Sequence, residues 1–155
     1  MIRRVRRALR LSAVEWRAFL MAALGLAAAR AALRLLGFRR AHALFTGAAA
    51  WARAHRAAGE AESFERVGQA LARATRCSVL RATCLPLALA AHLLLGLAGV
   101  GSALKIGARR AGCALEGHAW VESAHGVLDL APPGAGPYTV VLTSVAATGS
   151  GGDQP

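Results

Sequence analysis

Cysteine is scarce in this chain and badly spaced for its two common structural uses. Cys77, Cys84 and Cys113 are odd in number, form no CxxC pair and have no histidine companion at zinc-site spacing, so neither a disulfide framework nor a structural zinc is expected. Reduced thiols fit a cytoplasmic protein. Acidic residues are also few, eight against nineteen basic ones, and all but one of the basic residues are arginine. The N-terminal run Met1-Ile2-Arg3-Arg4-Val5-Arg6-Arg7 has no compact apolar core ending in a small-residue cleavage site, which argues against a secretory signal. There is no internal repeat, and no nucleic-acid-binding motif accompanies the charge, so no nucleic-acid partner is expected.

What is present is apolar and unevenly charged. The 155 residues are 55% hydrophobic yet carry a formal charge of +11. Residues 1–76 hold fifteen arginines against four glutamates, whereas residues 77–155 balance four basic against four acidic groups. The arginine excess fits two readings, an anionic partner or a GC-rich coding bias. The length suits a single fold with one modest core.

Two greasy stretches raise the question of membrane spans. Residues 18–29 carry no charge, but Arg30 and Arg34 then follow four apart, which suits an amphipathic helix better than a span. Residues 82–104 are uncharged for 23 positions, long enough to cross a bilayer. Against a span, Pro86 lies near its start, His92 lies inside, and Gly96, Gly99 and Gly101 crowd its second half. A soluble helix of ten to twelve residues, then a Gly-rich turn and a strand, is the preferred reading. The arginine-rich N-terminus suits peripheral contact with a membrane surface.

Periodicity divides the chain into a helical preface over residues 1–76, a core over 77–146 and a disordered tail over 147–155. In the preface, Ser12 and Glu15 form a capping box for a helix that Gly37 stops. A second helix is expected from 39 to 58, ended by Gly59, and a third from 63 to 75 with Ser63 as cap. In the core, Thr83 is placed to cap a helix that begins at Cys84, and Pro86 is tolerated in its first turn. Strands are expected at 103–108, 117–123, 126–130 and 138–145, separated by turns that include Ala124-His125-Gly126 and Ala131-Pro132-Pro133-Gly134. The fold class that results is α+β: one helix packed on an antiparallel sheet behind a helical preface.

Cys84, His118 and Asp129 fall on three successive elements of this unit: a helix start, a strand and the strand after it. A thiol is nucleophilic only as the thiolate, and a helix N-terminus favours the anion through its unpartnered N–H groups and macrodipole. The same N–H groups suit an oxyanion. A histidine on a neighbouring strand can take the thiol proton and later protonate a leaving amine, and a carboxylate one strand further on can hold the imidazole in its working tautomer. Direct opposition of His118 and Asp129 across the hairpin requires a bulge or a shifted register. Trp120 and Glu122 alternate onto the same face as His118, so Glu122 competes with Asp129 for the third role; Asp129 is favoured. His42, His55, His92 and His125 are read as structural or surface residues, and Cys77 as core or loop.

Thr83-Cys84-Leu85-Pro86 with Ala88-Leu89-Ala90, Leu104-Lys105-Ile106-Gly107, and His118-Ala119-Trp120-Val121-Glu122 together resemble the transglutaminase-like cysteine peptidases of lasso-peptide biosynthesis. The likeness is close over residues 81–130 and loose over the rest, where the family also carries an Arg- and Leu-rich helical preface. It implies a transglutaminase-like or papain-like core and removal of the leader from a ribosomally made precursor peptide by Cys84, His118 and Asp129. It implies no metal and no nucleotide for the peptidase. Its partners would be the precursor peptide, a separate leader-recognition protein, and an ATP-dependent lasso cyclase that joins the freed α-amine to an acidic side chain. The segment 109–116 departs from the pattern by adding the thiol of Cys113. Two alternatives stay open: acyl transfer to an amine instead of water, and a non-catalytic, membrane-associated assembly factor that presents the precursor to the cyclase.

Overall fold

In the computed structural model, residues 12–59, 61–76, 83–130 and 137–145 are described. Among the described residues three helices precede a sheet: α1 (Ala13–Ala54), α2 (Ala61–Arg76), α3 (Cys84–Leu97), β1 (Ser102–Ala111), β2 (Ala114–Ser123), β3 (Gly126–Leu128) and β4 (Thr139–Val145). The four strands pair antiparallel in the order β3-β2-β1-β4. This is the expected α+β class. Cys77, the Arg-rich residues 1–11, the Ala-Pro-Pro-Gly turn and the 147–155 tail lie outside the described residues.

α1 begins as its sequence dictates. Ser12 adopts extended backbone, its hydroxyl accepts from the Glu15 N–H, and the Glu15 carboxylate accepts from the Ser12 N–H, closing the capping box. Gly37 breaks the helical path at φ 74 and ψ 172, a left-handed conformation that costs a glycine little. The chain resumes helix at once, so the expected first and second helices run on as one kinked element. It stops at Ala54, earlier than the expected Ala58, with His55 as C-cap. α2 starts at Ala61, so Ser63 sits within its first turn and does not cap it. Arg73 of α2 pairs with Glu15 of α1 at 3.0 Å, which ties the two helices near the start of α1.

α3 is the centre of the molecule. Ten of its fourteen residues are buried, including Leu87, Leu89, His92 and Leu95. A helix that is apolar all round is buried all round, which accounts for the long uncharged stretch without a membrane span. It ends at Leu97, and β1 begins within five residues. One continuous core joins α3 to Leu26 and Phe45 of α1, Leu71 of α2, and Leu104, Val121 and Leu128 of the sheet. Each fully buried leucine contributes about 1.5–3 kcal/mol relative to exposure. At Gly96, α3 meets α1 so closely that a Cβ would lie 2.5 Å from the Ala49 carbonyl oxygen.

α1 is also long and apolar enough to cross a membrane by length and composition. One face of it packs into the core through Ala22, Leu26, Ala29, Ala41, Phe45 and Ala49. Its other face leaves Leu20, Leu24, Leu35 and Phe38 exposed.

Candidate active site

Thr83 has the extended backbone of an N-cap, but its hydroxyl makes no capping bond. The expected Thr83 cap is therefore corrected to a backbone cap alone. The Leu87 N–H bonds the Thr83 carbonyl at 3.4 Å, and Pro86 has no N–H to offer. Helix geometry then leaves the amides of Cys84 and Leu85 as the first-turn donors without an intrahelical acceptor. Cys84 itself is half-buried at the first helical position. Its thiol donates to the Gly117 carbonyl at 4.0 Å. Gly117 is the residue before His118, so the sulfur lies against the part of β2 that carries the imidazole. Among the described residues, the thiol's hydrogen bond runs to that carbonyl and not to the ring.

β2 alternates its side chains as a strand must. Ala119 and Val121 turn toward the core, and Ala119 lines a narrow slot beside Cys84 with Leu87, Ala88, Ala91, Leu128 and Leu130. His118, Trp120 and Glu122 take the other face. His118 is only 7% exposed, and its Nε2 lies 2.7 Å from Asp129 Oδ2. The register explains how this pair meets without a bulge. Val121 faces Leu128 and Glu122 faces Val127, so continuing the ladder sets Asp129 opposite Trp120. Asp129 thus shares a face with His118 and reaches it diagonally, two positions along β2. β3 ends at Leu128, so Asp129 lies just beyond the strand.

Glu122, the competing carboxylate, is occupied elsewhere. It accepts from the Trp120 indole N–H at 2.8 Å and pairs with Lys105 at 3.3 Å. The indole hydrogen bond, helped by Lys105, holds its carboxyl below the usual carboxylate range. It therefore acts on Trp120, whose ring stacks on the imidazole at 5.8 Å and 21°. Sequence reasoning missed Tyr138, which also stacks on His118, at 4.9 Å and 28°, and lies 6.5 Å from the Trp120 ring. An aromatic just before the last strand was visible, but nothing in strand periodicity assigns it to His118.

The other histidines serve structure. His92 Nδ1 pairs with Ser102 Oγ at 2.9 Å, His42 Nε2 with Ser144 Oγ at 2.8 Å, and His55 Nδ1 with the Trp51 carbonyl at 2.8 Å. Burial, and then the charge of nearby His42, push the His92 imidazole down to about 4. Cys113 is exposed in the turn between β1 and β2. Among the described residues no group of three or more His, Cys, Asp or Glu side chains is placed to hold a metal.

No match is found among curated proteins or solved structures. The model of the Transglutaminase-like superfamily, whose members generally are cysteine peptidases or acyltransferases, matches residues 23–143, which take in most of α1, all of α2 and α3, and the sheet through Thr143 of β4. On that match the chain belongs to the Transglutaminase-like superfamily.

Proposed function

We propose that this protein is a cysteine peptidase that removes the leader from a ribosomally made precursor peptide in lasso-peptide maturation. The observation that supports it best is the meeting of a helix-terminal thiol with the backbone of β2 beside a carboxylate-paired imidazole. In this reading Asp129 occupies Nε2, which leaves Nδ1 of His118 for the thiol. Proton transfer in this reading requires the Cys84 side chain to leave the Gly117 carbonyl and reach the ring on the other face of β2, since Ala119 and not His118 lines the slot beside the thiol. Contacts of this kind are often loose before substrate binds.

The thiolate then attacks the scissile carbonyl carbon, and the amides of Cys84 and Leu85 stabilise the developing oxyanion. The C–N bond breaks as the imidazolium protonates the leaving amine, which is the new N-terminus of the core peptide. Water, deprotonated by the same imidazole, hydrolyses the thioester and releases the leader carboxylate and the free thiol. No step calls for a metal or nucleotide. A separate leader-recognition protein would dock on the exposed face of α1, where Leu20, Leu24 and Leu35 are exposed along with Arg17 and Arg34. An ATP-dependent cyclase would consume the freed amine.

Mass spectrometry of the products formed from a precursor by the full chain tests the reading. Cleavage with a free carboxylate on the leader, lost in Cys84→Ala with the fold retained, is expected. Undiminished cleavage by purified Cys84→Ala removes the proposal, and a leader mass that carries an added amine replaces hydrolysis with acyl transfer. Cleavage that runs equally well without the recognition protein removes that partner.

A further inference from the structure

Gly107 of β1 stands directly opposite His118 of β2. A Cβ on Gly107 would lie 2.9 Å from Tyr138 Cβ and 3.0 Å from the Trp120 ring edge, closer than side-chain atoms pack. The pairing of β1 with β4 slips between Ile106 and Gly107, so the ladder is interrupted at the same place. The bare backbone and the slip together let Tyr138 come in from the start of β4 and lie against His118. The Tyr138 ring is not left loose: the Arg109 guanidinium sits 4.8 Å from its centroid, and Glu116 holds Arg109 at 3.0 Å. Trp120 is fixed in turn by Glu122.

We infer that Tyr138 and Trp120, admitted by Gly107 and lying 6.5 Å from each other, form an aromatic clamp of two adjoining walls that limits rotation of the His118 ring, with Tyr138 as a positioning residue for the proposed peptidase. The inference rests on the catalytic reading of His118. Asp129 restrains one nitrogen, but a single hydrogen bond leaves the ring free to swing about it. Two adjoining aromatic rings packed against the imidazole restrict that swing. The clamp needs the flat ring of Tyr138 and not its hydroxyl.

The test uses the full chain with Tyr138→Phe, Tyr138→Leu and Gly107→Ala. For Tyr138→Leu, kcat is expected to fall tenfold or more with KM within threefold of the parent, while Tyr138→Phe stays within threefold in both. Ring 15N shifts of His118 supply a readout independent of turnover. The parent should hold one tautomer, with the proton on Nε2 facing Asp129, and Tyr138→Leu and Gly107→Ala should show a mixture. A single unchanged tautomer in Tyr138→Leu together with unchanged kcat overturns the clamp. Equal loss of kcat in Tyr138→Phe and Tyr138→Leu overturns it too, by assigning the effect to the hydroxyl. An inactive parent that keeps the tautomer difference sinks the peptidase reading and leaves the clamp standing.

Discussion

His92 and His118 are almost equally hidden from water, at 0% and 7% exposure, yet their surroundings are opposite. His92 lies within α3 among leucines, with one hydroxyl partner at Ser102 and an Nε2 that has no partner among the described residues. Desolvation there suppresses the charged form, and the ring serves only as packing with one polar tie. His118 faces a carboxylate and two aromatic rings. Burial alone therefore does not distinguish the histidine proposed to be catalytic from a structural one. The groups placed around the ring do.

The largest expected effect breaks this contrast directly. His118→Ala should abolish precursor cleavage, a loss on the order of 10⁴ or more, while His92→Leu should stay within a few-fold per folded molecule. Comparable losses in both, measured on folded protein, would erase the distinction. A smaller effect sharpens the division between the two carboxylates. Asp129→Asn is expected to lower kcat on the order of 10²-fold or more by disturbing the tautomer, and Glu122→Gln about tenfold or less because it acts through Trp120. Steady-state kinetics on the pair decide it; a reversed order would hand the third role to Glu122.

The smallest effect is on stability. Folding depresses the His92 titration from 6.5 to about 4, so between those values the unfolded chain binds a proton that the folded chain refuses. Stability from this group is complete above pH 6.5 and declines as pH falls toward 4, by on the order of 3 kcal/mol. Urea unfolding at pH 7.5 and 4.5 should show the decline in the parent and a flatter response in His92→Leu. Equal slopes would mean that His92 is not the titrating group.

Much of the architecture was legible because local chemistry and tertiary packing agree. The Ser12–Glu15 box, the break at Gly37, the helix starting at Cys84 and the antiparallel strands all follow from residues that favour those conformations by themselves. Boundaries failed where packing overrode local signals. Ser63 resembles a cap, but α2 starts two residues earlier, and the Ala-rich stretch after Trp51 leaves the helix at Ala54. The approach of His118 to Asp129 was not legible, because strand pairing was judged by direct opposition and the contact is diagonal. Tyr138 was invisible for a different reason. Its place depends on a missing Cβ at Gly107 and a slip between two strands, and neither is encoded near Tyr138 itself.

The close approach of α3 to α1 at Gly96 reaches further than its neighbourhood. Gly96 and Cys84 stand twelve residues apart on one straight rod, about 18 Å at helical rise. The glycine end is a pivot and the thiol end is the tip of the lever, so even a methyl group at position 96 would swing the sulfur away from β2 without touching any residue near it. Tolerance to substitution should therefore be as low at this remote crossing as beside Cys84.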